Sequence, residues 1–162
     1  MPSAALSARE SRLDHSIARA IAPTPFVLLR EEIMPLIRID VLQGRTEAEI
    51  TSLLDAVHRA VVKAFDVPQT DRYQVLTEHR SCRLIAEDTG LGIVRTDKLT
   101  LVSVTTRPRS DESKRKFYSE LTAELETSCG TGANDVIVSI TTNSDSDWSF
   151  GNGAAQYLTG EL

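Results

Sequence analysis

The sequence has 162 residues, of which 41% are hydrophobic and 25% are charged, and its formal net charge is −5. This length and composition suit one domain with a real hydrophobic core and exclude a disordered polymer. The acidic balance argues against a nucleic-acid partner. No apolar run approaches the ~18–20 residues that span a bilayer, so the sequence predicts no membrane partner.

Cysteine and histidine usage argues against a metal site. Cys82 and Cys129 do not form a C-x-x-C pair, and the three histidines lack metal-ligand spacing. Both cysteines are predicted to be packing residues, since no His or Asn partner for a nucleophile is evident. Their small number fits a reducing cytoplasm, where we expect the protein to act.

Residues 1–34 differ in composition from the rest of the chain. Their first half is rich in Ser, Ala and Arg, and Pro23 and Pro25 then interrupt any helix. The segment resembles a transit peptide, although Glu10 and Asp14 count against that interpretation. It is not a secretory signal, because no continuous apolar stretch follows a basic start. We predict an N-terminal extension that is an upstream start or a leader and is not part of the mature protein.

Regular patterning begins after Met34. Alternating apolar and polar residues predict a strand over residues 36–41. Thr46 is the predicted N-cap of a helix, and Glu49 completes a capping box. Apolar residues at helical spacing then predict one buried helix face, formed by Ile50, Leu53, Leu54, Val57 and Val61.

Further strands are predicted to begin at residue 73 and to cover residues 82–87 and 92–95, the last two around a turn at residues 88–90. The second half repeats the plan of the first. It contains a strand over residues 99–106, a helix capped by Ser110, and a strand over residues 136–141. The buried face of this helix is predicted to consist of Phe117, Leu121 and Leu125, and the helix to end at Cys129-Gly130.

The repeat has a constant offset, because Thr46 and Ser110 are 64 positions apart. It predicts an α/β (α+β) fold with a tandem β-α-β repeat. The two units, about 35–98 and 99–162, are expected to be related by a pseudo-twofold axis within the chain.

Pro35 is the unusual residue of this repeat, because its counterpart, Leu99, is an ordinary residue to open a strand. The first residue of a strand tolerates proline, since its missing N–H need not pair. Alternatively, Met34 is the initiator, and its removal leaves Pro35 with a free secondary amine. An α-amino group titrates near ~7.7–8 and can act as an acid, a base or a nucleophile towards a carbonyl compound.

Arg107 and Arg109 directly follow the predicted strand over residues 99–106. Two arginines there can simply belong to a solvated loop. Residues i and i+2 of an extended segment project to one side, so both guanidinium groups can also converge on one anion. A planar guanidinium suits a carboxylate, which it binds through two parallel hydrogen bonds.

Asp71 precedes the strand that begins at residue 73, where an aspartate most often stabilises a turn. With a cationic Pro35 and two arginines nearby, its carboxylate should stay ionised and can orient a water molecule. Asp135 lies 64 positions after Asp71 and is predicted to have a structural role only. Trp148 and Phe150 are typical core anchors that can also wall a pocket.

A set of short segments resembles the tautomerase superfamily and, within it, the malonate semialdehyde decarboxylases. The segments run through nearly all of residues 35–162. They are PLIRIDVLQGRT (35–46), FDVPQTDRYQ (65–74), EDTGLG (87–92), RPRS (107–110), DVIV (135–138), NSDSDWSFG (143–151) and LTG (158–160). The proline motif alone is weak, whereas the ordered set is specific.

The resemblance implies a homotrimer of β-α-β pairs whose amino-terminal proline is the catalytic group. Tyr157 stands where the family pattern has a phenylalanine. The implied site consists of the catalytic residues Pro35 and Asp71, the carboxylate-binding residues Arg107 and Arg109, and the pocket-wall residues Trp148, Phe150, Tyr157 and Leu162.

The function implied by the resemblance is a cofactor-independent carbon–carbon lyase that converts malonate semialdehyde, a small 3-oxo acid, to acetaldehyde and carbon dioxide. No metal is expected, because protonated Pro35 supplies the electron sink. Two other activities share these residues: tautomerisation of phenylpyruvate-like enol or keto acids, and hydration of acetylenic or haloacrylic acids. If residues 1–34 are retained, Pro35 stays in an amide bond, and the alternative is a catalytically silent binding protein of tautomerase fold.

Overall fold

The computed structural model describes residues 35–162, all within one unit of the chain. The predicted extension over residues 1–34 and the proposed initiator Met34 lie outside the described residues. The strands are β1 (Leu36–Leu42), β2 (Tyr73–His79), β3 (Thr100–Thr106) and β4 (Val136–Thr142), and the helices are α1 (Glu47–Phe65), α2 (Asp111–Cys129) and α3 (Gln156–Thr159).

The four strands form one sheet in the order β2-β1-β3-β4. Each β-α-β unit contributes a parallel pair, β1 with β2 and β3 with β4. The central strands β1 and β3 run antiparallel, with Arg38 opposite Ser103. An antiparallel central pair flanked by two parallel pairs is the arrangement that a pseudo-twofold axis requires, so the predicted fold class is confirmed.

Both long helices begin at the predicted caps, and α2 also ends where the sequence indicates. Thr46 and Glu49 form the predicted capping box: the Thr46 backbone N–H donates to the Glu49 carboxylate at 2.8 Å, and Thr46 Oγ1 accepts from the Glu49 N–H. Ser110 Oγ accepts from the Ser113 N–H at the start of α2. Gly130 ends α2 at φ 61°, a left-handed conformation that glycine adopts at little steric cost.

The hydrophobic core lies between the two helices and one face of the sheet. Alternate residues of β1 and β3 supply the sheet side of this core, because successive strand residues point to opposite faces. All three residues of the predicted α2 stripe are fully buried. The core includes Ile37, Ile39, Val41, Val102 and Val104 from the sheet, Leu53, Val57 and Val61 from α1, and Phe117, Leu121 and Leu125 from α2.

The opposite face of the sheet is open in the single chain. Val75 and Tyr73 of the edge strand β2 are exposed on this side, and Val75 pairs with the exposed Arg38. Within the described residues, no helix is long and apolar enough to cross a membrane.

The predicted strands over residues 82–87 and 92–95 are wrong. Neither segment belongs to the sheet, and the turn between them is held by a side chain rather than by strand pairing. The Asp88 carboxylate accepts hydrogen bonds from the backbone N–H groups of Gly90, Leu91, Gly92 and Ile93 at 2.9–3.1 Å. Local side-chain acceptors of this kind compete with a β-ladder for the backbone donors.

The constant offset of the repeat is also only partly correct. First strands and helices are 64 positions apart, whereas β2 begins at Tyr73 and β4 at Val136, 63 positions later. The link from helix to strand is therefore one residue shorter in the second unit. A short helical turn over Ala133–Asp135 occupies that link.

Candidate active site

The sheet topology brings the predicted catalytic and carboxylate-binding residues to one edge. Leu36, which follows Pro35, pairs with Tyr73 at the start of β2 and with Thr105 near the end of β3. Parallel β1 and β2 therefore begin at the edge where antiparallel β3 ends. Pro35, Asp71, Arg107 and Arg109 all lie within three residues of these strand ends. Pro35 itself is buried.

Asp71 lies in the turn between α1 and β2. Its backbone N–H donates to the Pro68 carbonyl at 3.0 Å, and the residue is half-buried. Asp135 has the same backbone contact in the second unit, since its N–H donates to the Gly132 carbonyl at 2.9 Å. The Asp135 carboxylate, however, accepts from the N–H and hydroxyl of Thr96 at 2.6 and 2.7 Å. The structure thus gives Asp135 the structural role predicted for it.

Arg107 is held by two groups from the C-terminal segment. Its side chain is 16% exposed, and its Nε forms an ion pair with the Asp145 carboxylate. The centre of its guanidinium lies 4.6 Å from the centroid of the Tyr157 ring, within the range of a cation–π contact. A carboxylate on one edge and an aromatic face fix the plane of this guanidinium.

Arg109 is anchored elsewhere. Its Nε donates to the Thr106 hydroxyl and its Nη1 to the Phe65 carbonyl, both at 3.2 Å. The Phe65 ring lies 4.8 Å from the guanidinium centre. Phe65 is the last residue of α1, where helix carbonyls lack intrahelical partners and attract a cation. The contacts of the two arginines therefore differ, and their predicted convergence on one anion stays a prediction.

Three of the predicted wall residues form an aromatic cluster centred on Phe150. The Trp148 and Phe150 rings stack with centroids 5.5 Å apart, and the Tyr157 ring meets Phe150 edge-on at 5.6 Å. Tyr73 reaches the same ring at 6.1 Å and so connects the cluster to β2. Leu162 is 62% exposed in the single chain, and its place in the wall stays a prediction.

Two contributors to this region were missed by the sequence analysis. Asp145 pairs with Arg107, and Gln156 ties the aromatic loop by accepting from the Phe150 N–H and donating to the Gly151 carbonyl, both at 3.0 Å. A local signal for Asp145 exists. Ser144 and Asp147 have capping-box spacing, which assigns Asp147 to the backbone and leaves Asp145 to face another element.

Loop electrostatics agree with this division of roles. The N–H and hydroxyl of Ser144 donate to Asp147 and hold the pKa of its carboxyl below the ordinary value.

Burial raises the pKa of the Cys129 thiol, which disfavours the thiolate that a nucleophile needs. Among the described residues, no group of three or more His, Cys, Asp or Glu side chains could hold a metal ion.

Comparison with protein families identifies the class. One model of the tautomerase enzymes matches residues 35–93, beginning at Pro35, and a second matches residues 71–151. Together they cover the candidate active site from Pro35 to Phe150. The chain belongs to the tautomerase family.

Particular relatives are similar along their whole length. The chain is 52% identical over 129 residues to "Probable tautomerase YrdN" of Bacillus subtilis, which covers 80% of this chain and 100% of that protein. Crystal structures of malonate semialdehyde decarboxylase match with 52% identity and a TM-score of 0.76, covering 78% of this chain and 98% of that one. A fused 4-OT solved as a symmetric trimer matches with 26% identity and a TM-score of 0.64, covering 77% and 98%.

Proposed function

We propose that the chain is a cofactor-independent decarboxylase of a small 3-oxo acid, which converts malonate semialdehyde to acetaldehyde and carbon dioxide. The observation that supports the proposal is that Pro35, Asp71 and the two arginines all lie close to strand ends at the same edge of the sheet. The 52% identity to malonate semialdehyde decarboxylase supports it independently.

The proposed division of labour follows from charge. Arg107 and Arg109 bind the substrate carboxylate, which their planar donors suit. Pro35, as a free secondary amine, titrates near neutral pH and is partly protonated there. Asp71 orients this amine or a water molecule. The aromatic cluster supplies a less polar wall on which the carboxylate loses water.

Pro35 can promote the decarboxylation by two routes. In the first, protonated Pro35 donates its proton to the C3 carbonyl oxygen, the bond between C1 and C2 breaks, and its electron pair forms the enol as carbon dioxide leaves. In the second, the Pro35 nitrogen adds to C3, and the adduct loses water to give an iminium. The iminium accepts the electron pair of the breaking C1–C2 bond and becomes an enamine as carbon dioxide leaves. Protonation at C2 and addition of water then release acetaldehyde and free Pro35.

Both routes require that Pro35 be the mature amino terminus. Inside a peptide bond its nitrogen is an amide without basicity. The start of one family match at residue 35, and the full coverage of relatives by about four-fifths of this chain, support a mature chain that begins there. We therefore propose that residues 1–34 are not part of the active enzyme.

We further propose a homotrimer. The open face of the sheet and the exposed apolar side chains of the loop after β2, namely Ile85, Leu91 and Val94, are surfaces that a subunit contact would cover. The symmetric trimer of the related fused 4-OT supports three subunits. The prediction that Cys82 is a packing residue is wrong, because Cys82 is exposed in the single chain. An exposed free thiol suits a reducing compartment, so we propose that the enzyme acts in the cytoplasm.

Hydration is the second candidate activity. The malonate semialdehyde decarboxylase structures are described as a basis for both decarboxylase and hydratase activities, and they include an inactivated form. Asp71, which is half-buried at the same edge of the sheet as Pro35, would orient the attacking water. Tautomerase activity, after which the Bacillus subtilis relative is named, is a third candidate and is tested in the assays described below.

The deciding experiment starts with the amino terminus. Intact mass of the protein from its own host establishes whether the chain begins at Pro35. The chain that begins at Pro35 and the full chain are then assayed side by side for carbon dioxide and acetaldehyde from malonate semialdehyde. We expect turnover from the first alone. Enol–keto conversion without gas release would instead establish a tautomerase, and inactivity of both forms on all three substrate classes would favour a binding protein.

A further inference from the structure

Arg107 is already paired with an anion before any substrate arrives. Its Nε faces the Asp145 carboxylate, and this side chain remains 46% exposed. Tyr157 covers one face of the guanidinium. Asp145 occupies the Nε side of the Arg107 guanidinium, and Tyr157 covers one of its faces. An incoming carboxylate must therefore bind the two Nη groups of Arg107, and it then lies close to the negative charge of Asp145.

Asp145 is held in place by its loop. Ser144 and Asp147 close a reciprocal cap around it, with the Ser144 N–H donating to Asp147 at 2.7 Å. At the start of the loop, the Asn143 N–H donates to the Thr106 carbonyl at 3.0 Å, one residue before Arg107. The loop is thus attached at the base of the arginine that Asp145 contacts, and this attachment holds the two residues close together.

A groove of about 610 Å³ opens beside this pair. Arg107 and Asp145 are the charged residues that line it in the described part of the chain. The remaining lining residues are neutral: Pro108, Asn143, Ser144, Ser146 and Leu158. The charges of Arg107 and Asp145 cancel, so the lining of the groove is close to neutral, although Arg107 is proposed to bind an anion.

We propose that Asp145 is the charge-selecting and positioning residue of the site. It holds the Arg107 guanidinium in one plane and restricts the site to ligands with a single carboxylate, rejecting those with two. The inference rests on the proposed function only in that Arg107 binds the substrate carboxylate. It narrows the substrate class to small oxo acids that carry one negative charge.

The physical reason is the short range over which Asp145 acts. One carboxylate of a ligand gains from Arg107, and the loss from Asp145 partly offsets that gain. A second carboxylate on a three-carbon ligand lies a few ångströms farther and meets Asp145 without a further cation lining the groove. At an effective dielectric constant of ~20, a like-charge pair at ~6–8 Å costs enough to change affinity about tenfold or more.

Two inert ligands of equal carbon number test this selection. Malonate carries two carboxylates, and 3-hydroxypropanoate carries one. Their dissociation constants are measured on the chain beginning at Pro35 by calorimetry and by fluorescence of Trp148, the single tryptophan. We expect the wild type to prefer 3-hydroxypropanoate, and Asp145→Asn to shift the ratio of the two constants towards malonate by about tenfold. The ratio cancels any change in Arg107 orientation, because both ligands use that arginine.

Matched variants separate charge from shape and from net charge. Asp145→Glu keeps the charge and should keep the wild-type ratio. Asp111→Asn removes an exposed carboxylate at the start of α2, two residues from Arg109, and should also leave the ratio unchanged. Asp145→Ser, matching the serines on either side, is a second way to remove the charge should the asparagine variant fail to fold.

The outcomes distinguish this inference from the proposed function. An unchanged ratio in both Asp145→Asn and Asp145→Ser would overturn the inference, even if malonate semialdehyde is decarboxylated. A tenfold shift in the ratio would support it, even if no decarboxylation occurs and the proposed function fails. An equal shift in Asp111→Asn would assign the effect to net charge and would also overturn the inference.

Discussion

The two β-α-β units have first strands of seven residues and helices of 19 residues, yet equivalent positions carry different chemistry. The first unit begins with Pro35 and the second with Leu99. Pro35 lies at the edge where β3 ends, directly before Arg107. Leu99 lies at the opposite edge, where β1 ends near Gln43, the residue 64 positions before Arg107.

The repeat also compares two arginines. Arg45 is 64 positions before Arg109, and each donates to backbone carbonyls: Arg45 to Leu42 and Lys98, and Arg109 to Phe65. Arg107 has no such equivalent. The two edges therefore share an arginine that binds backbone carbonyls, and they differ at Pro35 and Arg107, whose counterparts are Leu99 and Gln43.

Pro35→Ala in the chain that begins at residue 35 tests this contrast with the largest expected effect. Alanine keeps an amino terminus but loses the secondary amine and its fixed ring. We expect kcat to fall about 10²–10⁴-fold, the range of acid–base catalysis. Carbon dioxide release from malonate semialdehyde measures it.

Leu99→Ala is the matched control at the equivalent position. Leu99 is buried, so the variant should lose about 2–5 kcal/mol of unfolding free energy and keep its kcat. Equal losses of activity in both variants would mean that Pro35 matters only as a strand opener.

Arg107→Ala comes next in size. Loss of a charged donor to the substrate carboxylate should raise KM about 10–100-fold. The stability loss should be small, because the partner Asp145 is half-exposed and regains water. Gln43→Ala, at the equivalent position, should change neither KM nor stability. Steady-state kinetics and urea unfolding of both variants check the pair.

Asp71→Asn and Asp135→Asn should have crossed effects. The first removes the carboxylate that is proposed to orient the amine or a water molecule, and we expect kcat to fall about tenfold with little change in stability. The second disrupts the two hydrogen bonds from Thr96 at a site that is 3% exposed, and should cost about 1–3 kcal/mol with activity retained. Stability loss without activity loss at Asp71 would make both aspartates structural.

Residues with local partners were predictable from the sequence. The caps at Thr46 and Ser110 depend on atoms three residues away, and the stripe of α2 depends on helical periodicity, so both are visible in the order of residues. The fold class followed from the repeat, and the candidate site residues near Pro35 followed from the resemblance.

Contacts between distant segments were not predictable in the same way. Arg107 and Asp145 are 38 positions apart, and only the parallel pairing of β3 with β4 brings their loops together. The strands expected over residues 82–87 and 92–95 failed for the opposite reason. Both segments contain apolar residues on either side of the turn, but Asp88 accepts the backbone N–H groups at the start of the second segment.

The segments that follow β2 and β4 give the last and smallest test. Each is held by one aspartate, Asp88 after β2 and Asp147 after β4. Hydrogen bonds from the backbone of Ile93 and Gly92 hold the pKa of the Asp88 carboxyl below its ordinary value. A lowered folded pKa means that Asp88 stabilises its loop above the ordinary carboxyl pKa of ~3.9 and that this stabilisation is lost as pH falls through the folded value.

Amides of residues 90–93 should therefore lose protection from hydrogen exchange below about pH 4, and in Asp88→Asn they should exchange severalfold faster at neutral pH. Because Asp88 lies in the loop between β2 and β3 and outside the sheet, kcat of this variant should stay at the wild-type value. A large loss of kcat would instead show that the loop contributes to the active edge, for example by completing it from a neighbouring subunit.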